Sequence, residues 1–155
     1  MAEIAPFAPN VAFAAESAGA SVAVEGKVKH PGKFDLGALR KLPAETEQVS
    51  FQSEHGVTPA SFTGARLWAV LEAAGGIDDD AKGAVLRHMI RVTARDGYVV
   101  LLSTGEIAPE FGDKAALLGY QRDGKPIADG GIRLVIPGDK RGGRNVRDVA
   151  TIQVE

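Results

Sequence analysis

The strongest constraint on the fold comes from short β-rich runs broken by turn dipeptides that fold a chain back on itself. His88 to Ala94 and Tyr98 to Ser103 lie on either side of Asp96-Gly97. That dipeptide readily adopts the positive backbone angles of a tight hairpin, so the two runs are expected to pair antiparallel. Asp123-Gly124 marks a second turn after Ala115 to Gln121, Gly130-Gly131 leads into Ile132 to Ile136, and a last strand ends at Thr151 to Val154. Upstream, Val22, Val24 and Val28 share one parity within Ser21 to Lys29, and Val49 and Phe51 alternate with polar neighbours between Thr46 and Ser53, which predicts two further strands. Tyr98 and Tyr120 are expected to bury their rings within strands.

Helices are fewer. Asp35 precedes Leu36, Leu39 and Leu42, with Pro43 as the stop, which reads as a short capped helix. Leu67, Val70, Leu71 and Ala74 fall at helical spacing, so a helix is expected from Thr63 to Ala74, ended by Gly75-Gly76. Ser103 to Glu106 starts another short helix, and Asp78-Asp79-Asp80 reads as an acidic helix cap, because three adjacent carboxylates cannot converge on one metal ion. Strands outnumber helices and do not alternate with them. The expected class is therefore α+β, a β-rich mixed domain with mainly antiparallel sheets and short helices.

Composition removes several functions. With no cysteine among 155 residues, the chain forms no disulfide, thiolate zinc site, iron–sulfur cluster or cysteine nucleophile. A formal charge of −2 lacks the basic excess of a general nucleic-acid binder, and no apolar run reaches the ~18 to 20 residues of a membrane helix. Residues 1–20 are Ala-rich, carry Pro6 and Pro9, and lack the basic start of a secretory signal. They are read as a flexible N-terminal arm ahead of a single domain over 21–155.

Two clusters carry candidate chemistry. Between Pro137 and Arg147 lie Lys140, Arg141, Arg144 and Arg147 with Gly138, Gly142 and Gly143. Glycines let backbone amides approach a ligand, and guanidinium forks suit phosphate or another oxyanion. A solvated turn between two strands, neutralised by Asp139 and Asp148, is the other reading of the same spacing. The second cluster is Ser53-Glu54-His55, where an extended backbone puts Ser53 and His55 on one side and Glu54 on the other. Serine hydrolysis is a weak reading there, since no nucleophile elbow surrounds Ser53. His30 and His88 lack metal-ligand spacing and are read as structural.

Further runs are informative through their order. They are Val24-Glu25-Gly26-Lys27-Val28-Lys29-His30-Pro31-Gly32-Lys33-Phe34, then Phe51-Gln52-Ser53, then Phe62-Thr63-Gly64-Ala65-Arg66-Leu67, and Asp96-Gly97-Tyr98. Gly119-Tyr120-Gln121-Arg122-Asp123-Gly124-Lys125-Pro126-Ile127, Arg133 to Gly138 and Gly143-Arg144-Asn145-Val146-Arg147 complete the series. In this order they resemble the oxidoreductase molybdopterin-binding domain of the sulfite oxidase family, over Ser21 to Glu155.

The resemblance implies a sulfite-oxidase-like fold holding a molybdenum–pterin cofactor. Arg144 and Arg147 occupy places matching family residues that help hold the pterin and its phosphate. Ser53 stands where redox-active members carry a cysteine ligand to molybdenum, and a serine oxygen is a harder ligand of much higher pKa. The upstream Asn-His pterin contacts and the downstream dimerisation domain of such enzymes have no counterpart here.

One implied role is a small molybdopterin-dependent oxidoreductase in which Lys140, Arg141, Arg144 and Arg147 anchor the pterin phosphate while Ser53 and His55 face the metal. A redox protein would be its partner, and the family's habits point to the bacterial periplasm. The other is a non-catalytic module that keeps the fold and binds a different anionic ligand or a protein.

Overall fold

The computed structural model describes residues 20–128 and 131–155, with Ser53 described by its backbone alone. The segment expected to form an N-terminal arm lies outside the described residues except for Ala20. Among the described residues, ten strands form two five-stranded sheets.

The first sheet has the order β2 (Gly32–Phe34), β1 (Val22–Gly26), β10 (Val149–Val154), β5 (Met89–Ala94), β6 (Val99–Ser103). Its β1–β10 pair is parallel, and its other pairs are antiparallel. The second sheet, antiparallel throughout, runs β3 (Ala44–Ser53), β4 (Gly56–Arg66), β7 (Leu117–Arg122), β8 (Lys125–Pro126), with β9 (Arg133–Val135) also on β7. The helices are short: α1 (Leu36–Arg40), α2 (Leu67–Ala73) and α3 (Thr104–Ile107).

Strand parity divides the core. Val22, Val24, Ile90, Val92, Ile152 and Val154 of the first sheet pack with Leu118, Tyr120 and Leu134 of the second and with Leu67, Val70 and Leu71 of α2. Leu117, adjacent to Leu118, points the other way into a smaller cluster with Val49, Ala60, Phe62 and Val135. The second sheet is therefore apolar on both faces, and the smaller cluster lies beneath the site described below. Burying a side chain such as Phe62, 1% exposed, contributes about 1.5–3 kcal/mol.

Local signals behave as their chemistry requires. Asp35 Oδ1 accepts from the Ala38 amide at 2.8 Å and caps α1, and Ser103 Oγ accepts from the Glu106 amide at 3.1 Å and caps α3. Gly97, at φ 93°, closes the β5–β6 hairpin, and Asp123 and Gly124, at φ 52° and 81°, turn β7 into β8.

Four expectations need correction. The helix expected from Thr63 starts at Leu67, because Thr63 to Arg66 complete β4, a strand the sequence pattern did not reveal. A Cβ on Gly64 would lie 2.1 Å from the Leu118 carbonyl oxygen, so β4 and β7 approach there as only glycine allows. The three-residue edge strand β2 was likewise not expected.

Asp78 to Asp80 cap no α-helix. Asp79 Oδ1 accepts from the Ala81 amide, and its Oδ2 lies 2.8 Å from His88 Nε2 while His88 Nδ1 donates to the Glu155 carbonyl. His88 is thus the structural histidine that was expected. Tyr120 is buried, but Tyr98 is 49% exposed; its hydroxyl donates to the Gly143 carbonyl at 2.6 Å and ties the β5–β6 turn to the glycine-rich loop.

Candidate functional site

Three arginines from different parts of the second sheet and the loop before β10 border one concave surface. Arg122 ends β7 immediately before the Asp123-Gly124 turn. Arg133 opens β9; its neighbours Ile132 and Leu134 enter the main core, and parity sends Arg133 to the opposite face. Arg147 follows the glycine-rich loop. Phe62 of β4 lies below, its ring centroid 5.7 Å from the Arg122 guanidinium carbon and 5.3 Å from that of Arg133. The ring face favours each cation and holds the two guanidinium groups on one platform.

Two hollows share this triad. The larger, about 630 Å³, is lined by the triad with Lys125, Ile127, Asp123 and Asp148, and the smaller, about 220 Å³, by the triad with Phe51, Thr58 and Asn145.

Their electrostatics are unbalanced. Burial pushes Arg133 down to about 10, and Arg147 and then Arg122 push it in the same direction. It remains charged at neutral pH, and among the described residues neither Arg133 nor Arg147 has a carboxylate within salt-bridge distance. Arg133 Nη1 donates to Asn145 Oδ1 at 2.9 Å, which fixes the amide and leaves Asn145 Nδ2 buried without a hydrogen-bond partner among the described residues. A buried donor left unmade costs about 1–3 kcal/mol, so the smaller hollow, lined by three arginines and no carboxylate among the described residues, lacks an acceptor as well as negative charge. The larger holds Asp123, 3.8 Å from Arg122, and Asp148.

The structure separates the four cations expected to act together. Arg147 joins the triad. Arg144 turns to carboxylates instead: Nε and Nη2 donate to Asp139 at 2.9 and 2.8 Å, and Nη1 lies 3.2 Å from Glu106 Oε2 of α3. The hydrogen bond that Arg144 donates to Asp139 leads the interactions that hold the Arg144 guanidinium charged, and in return it keeps the Asp139 carboxyl below the usual range. Lys140 and Arg141 are exposed on the loop.

The mid-sequence cluster meets the loop through backbone. The Gln52 amide donates to the Lys140 carbonyl at 2.8 Å, which brings the end of β3 against the loop. Ser53 pairs with Gly56 at the β3–β4 hairpin end, whereas His55 stands at the tip, its side chain 88% exposed and 3.9 Å from Glu54.

Sequence reasoning did not single out Arg122, Arg133 or Asn145 for the site. Arg133 had a legible signal, a lone cation in the apolar run Ile132 to Ile136. Arg122 and Asn145 had none.

The family described as an oxidoreductase molybdopterin binding domain matches residues 10–155. The chain belongs to this family. Molybdopterin is the cofactor that membership assigns, and the sheet-rich architecture with few short helices agrees with it. Among solved structures, the fold is similar to that of the sulfane dehydrogenase SoxCD from Paracoccus pantotrophus, with a TM-score of 0.70 and 16% sequence identity. The similarity covers 87% of this chain and 38% of that one, so the chain spans under two fifths of its structural neighbour. A search of curated protein sequences returns no match.

The donors present fit one end of such a cofactor. Three guanidinium groups and the unpartnered Asn145 amide suit a phosphate, whereas the chain offers no thiolate to a metal.

Proposed function

We propose that this chain is the cofactor-holding domain of a molybdopterin-dependent oxidoreductase, and that Arg122, Arg133, Arg147 and Asn145 Nδ2 grip the phosphate of the pterin. The observation that carries the reading is the buried, unpartnered Asn145 amide beside a cation whose neighbours repel it. A phosphate relieves both deficits at once: it accepts from Nδ2 and offsets the charge of the triad.

Roles within the glycine-rich loop differ. Arg147 reaches the ligand. Arg144 is a positioning residue that fastens the loop to α3 through Asp139 and Glu106, which keeps Asn145 and Arg147 in place. Lys140 and Arg141 add exposed charge that draws an anion toward the loop.

When bound, the molybdenum–pterin group supplies the redox chemistry, and this chain binds and orients it. No cysteine is available as a protein ligand, and Ser53 lies on the hairpin that adjoins the loop.

The test is to express the chain in a host that loads a known molybdenum–pterin enzyme, then to count pterin and molybdenum per chain. Stoichiometric pterin in the wild-type chain, falling at least tenfold in Arg133→Gln and Asn145→Ala, is the expected result. Pterin without molybdenum would favour a binding module. No pterin, while the control enzyme is loaded, would contradict the reading.

A further inference from the structure

Outside the cofactor site, the sheet edge at β6 is the most unusual surface of the molecule. Each sheet edge presents unpaired amides and carbonyls to solvent, and proteins normally guard such edges with charge, proline or brevity. The other edges follow that rule. β2 has three residues, including Lys33, and follows Pro31; β3 carries Glu45 and Glu47 and has its Gln52 amide covered by Lys140; β8 is Lys125-Pro126. β6 is Val99-Val100-Leu101-Leu102-Ser103, uncharged and without proline.

The register defines what this edge offers. The Ala94 amide donates to the Tyr98 carbonyl and the Thr104 amide to the His88 carbonyl, which fixes the even residues of β6 as those bonded to β5. The amides and carbonyls of Val99 and Leu101 consequently point away from the sheet, and among the described residues β5 is the only strand that β6 pairs with. Side chains on the same face add apolar surface: Val99 is 41% exposed, Leu101 43% and Met89 43%. The nearest charges on that face, Arg91 and Glu155, neutralise each other at 2.7 Å.

We propose that β6 pairs antiparallel with β6 of a second copy of this chain, joining two five-stranded sheets into one across a two-fold axis at Leu101. Charge selects this occupant. An uncharged strand laid antiparallel on itself opposes no like charges, and the axis sets Leu101 against Leu101 and Val99 against Ser103 of the other copy. The two-fold contact closes on itself, so it ends at a dimer.

The experiment is sedimentation of the purified chain across a concentration series, with Leu101→Lys as the variant and Val57→Lys, a more exposed apolar site elsewhere, as the control. Hydrogen exchange at the Val99 and Leu101 amides is read on the same samples. A dimer in the wild-type chain and in Val57→Lys, at least a tenfold weaker dimer in Leu101→Lys, and slowed exchange at both amides only at dimer concentrations is the expected result. The lysine stands on an exposed face, and an unchanged circular dichroism spectrum separates lost association from lost folding. A chain that remains monomeric, with both amides exchanging fast at every concentration, overturns the proposal. So does a dimer indifferent to Leu101→Lys.

Discussion

Arg144 and Arg147 lie three residues apart on one loop, yet the fold gives them opposite surroundings. Arg144 is surrounded by oxygen from Asp139 and Glu106, while Arg147 faces Arg122 and Arg133 with no carboxylate within salt-bridge distance among the described residues. A cation whose partners lie within the chain fastens the structure. A cation placed against other cations needs its partner from outside. On the proposed function, stability and binding are divided between neighbours that a charge pattern reads as equivalent.

The largest effect is expected at Arg133. Arg133→Met removes the most buried cation of the triad and the bond that orients Asn145, so affinity for a phosphate ligand should fall by about 10 to 100-fold, the ~1.5–3 kcal/mol of a charge-assisted hydrogen bond. Calorimetric titration measures it. If the comparison holds, the melting temperature of the ligand-free chain changes by only a few degrees.

Arg144→Met should show the reverse pattern. Two partly buried carboxylates lose their shared partner, and the expected cost is about 1–2 kcal/mol by chemical denaturation, with phosphate affinity within about threefold of wild type. An intact fold with lost binding would make Arg144 a ligand-contacting residue and erase the distinction.

A smaller effect should appear with pH. The Asp139 carboxyl is held below its unfolded value by Arg144, so its contribution is present above the unfolded pKa of ~4 and is lost as pH falls through the lower, folded value. Asp139→Asn should therefore be less stable than wild type at pH 7 and approach it as the pH falls through the lowered, folded-state range. Denaturant midpoints across that range check the sign.

The smallest is a gain. Arg147→Gln relieves repulsion of Arg133 and should stabilise the ligand-free chain by about 0.5 kcal/mol while weakening binding, as expected where a site is held for function. A loss of stability would mean that Arg147 has a structural partner of its own.

What the sequence made legible was local. Asp96-Gly97 specified a hairpin, Asp35 and Ser103 specified caps, and the shared parity of Val22 and Val24 specified β1, because the groups that decide these features lie within a few residues. Thr63 to Arg66 was misread because the face of α2 extends its pattern upstream, while what decides the matter is the approach of Gly64 to Leu118, 54 positions away. The candidate site was less legible. The spacing of the glycine-rich run left an oxyanion loop and a solvated turn both open, and separating its cations required Glu106, which lies 38 residues from Arg144, and Phe62 beneath the triad. His55 stood beside Ser53 in sequence, yet the hairpin carries it out to solvent.

The most direct test of this division is a crystal of the chain soaked with arsenate, a phosphate mimic located by anomalous scattering. The account predicts one strong peak bordered by Arg122, Arg133 and Arg147, with an oxygen within hydrogen-bond distance of Asn145 Nδ2. A peak on the Lys140–Arg144 side of the loop, with the triad left empty, would contradict it.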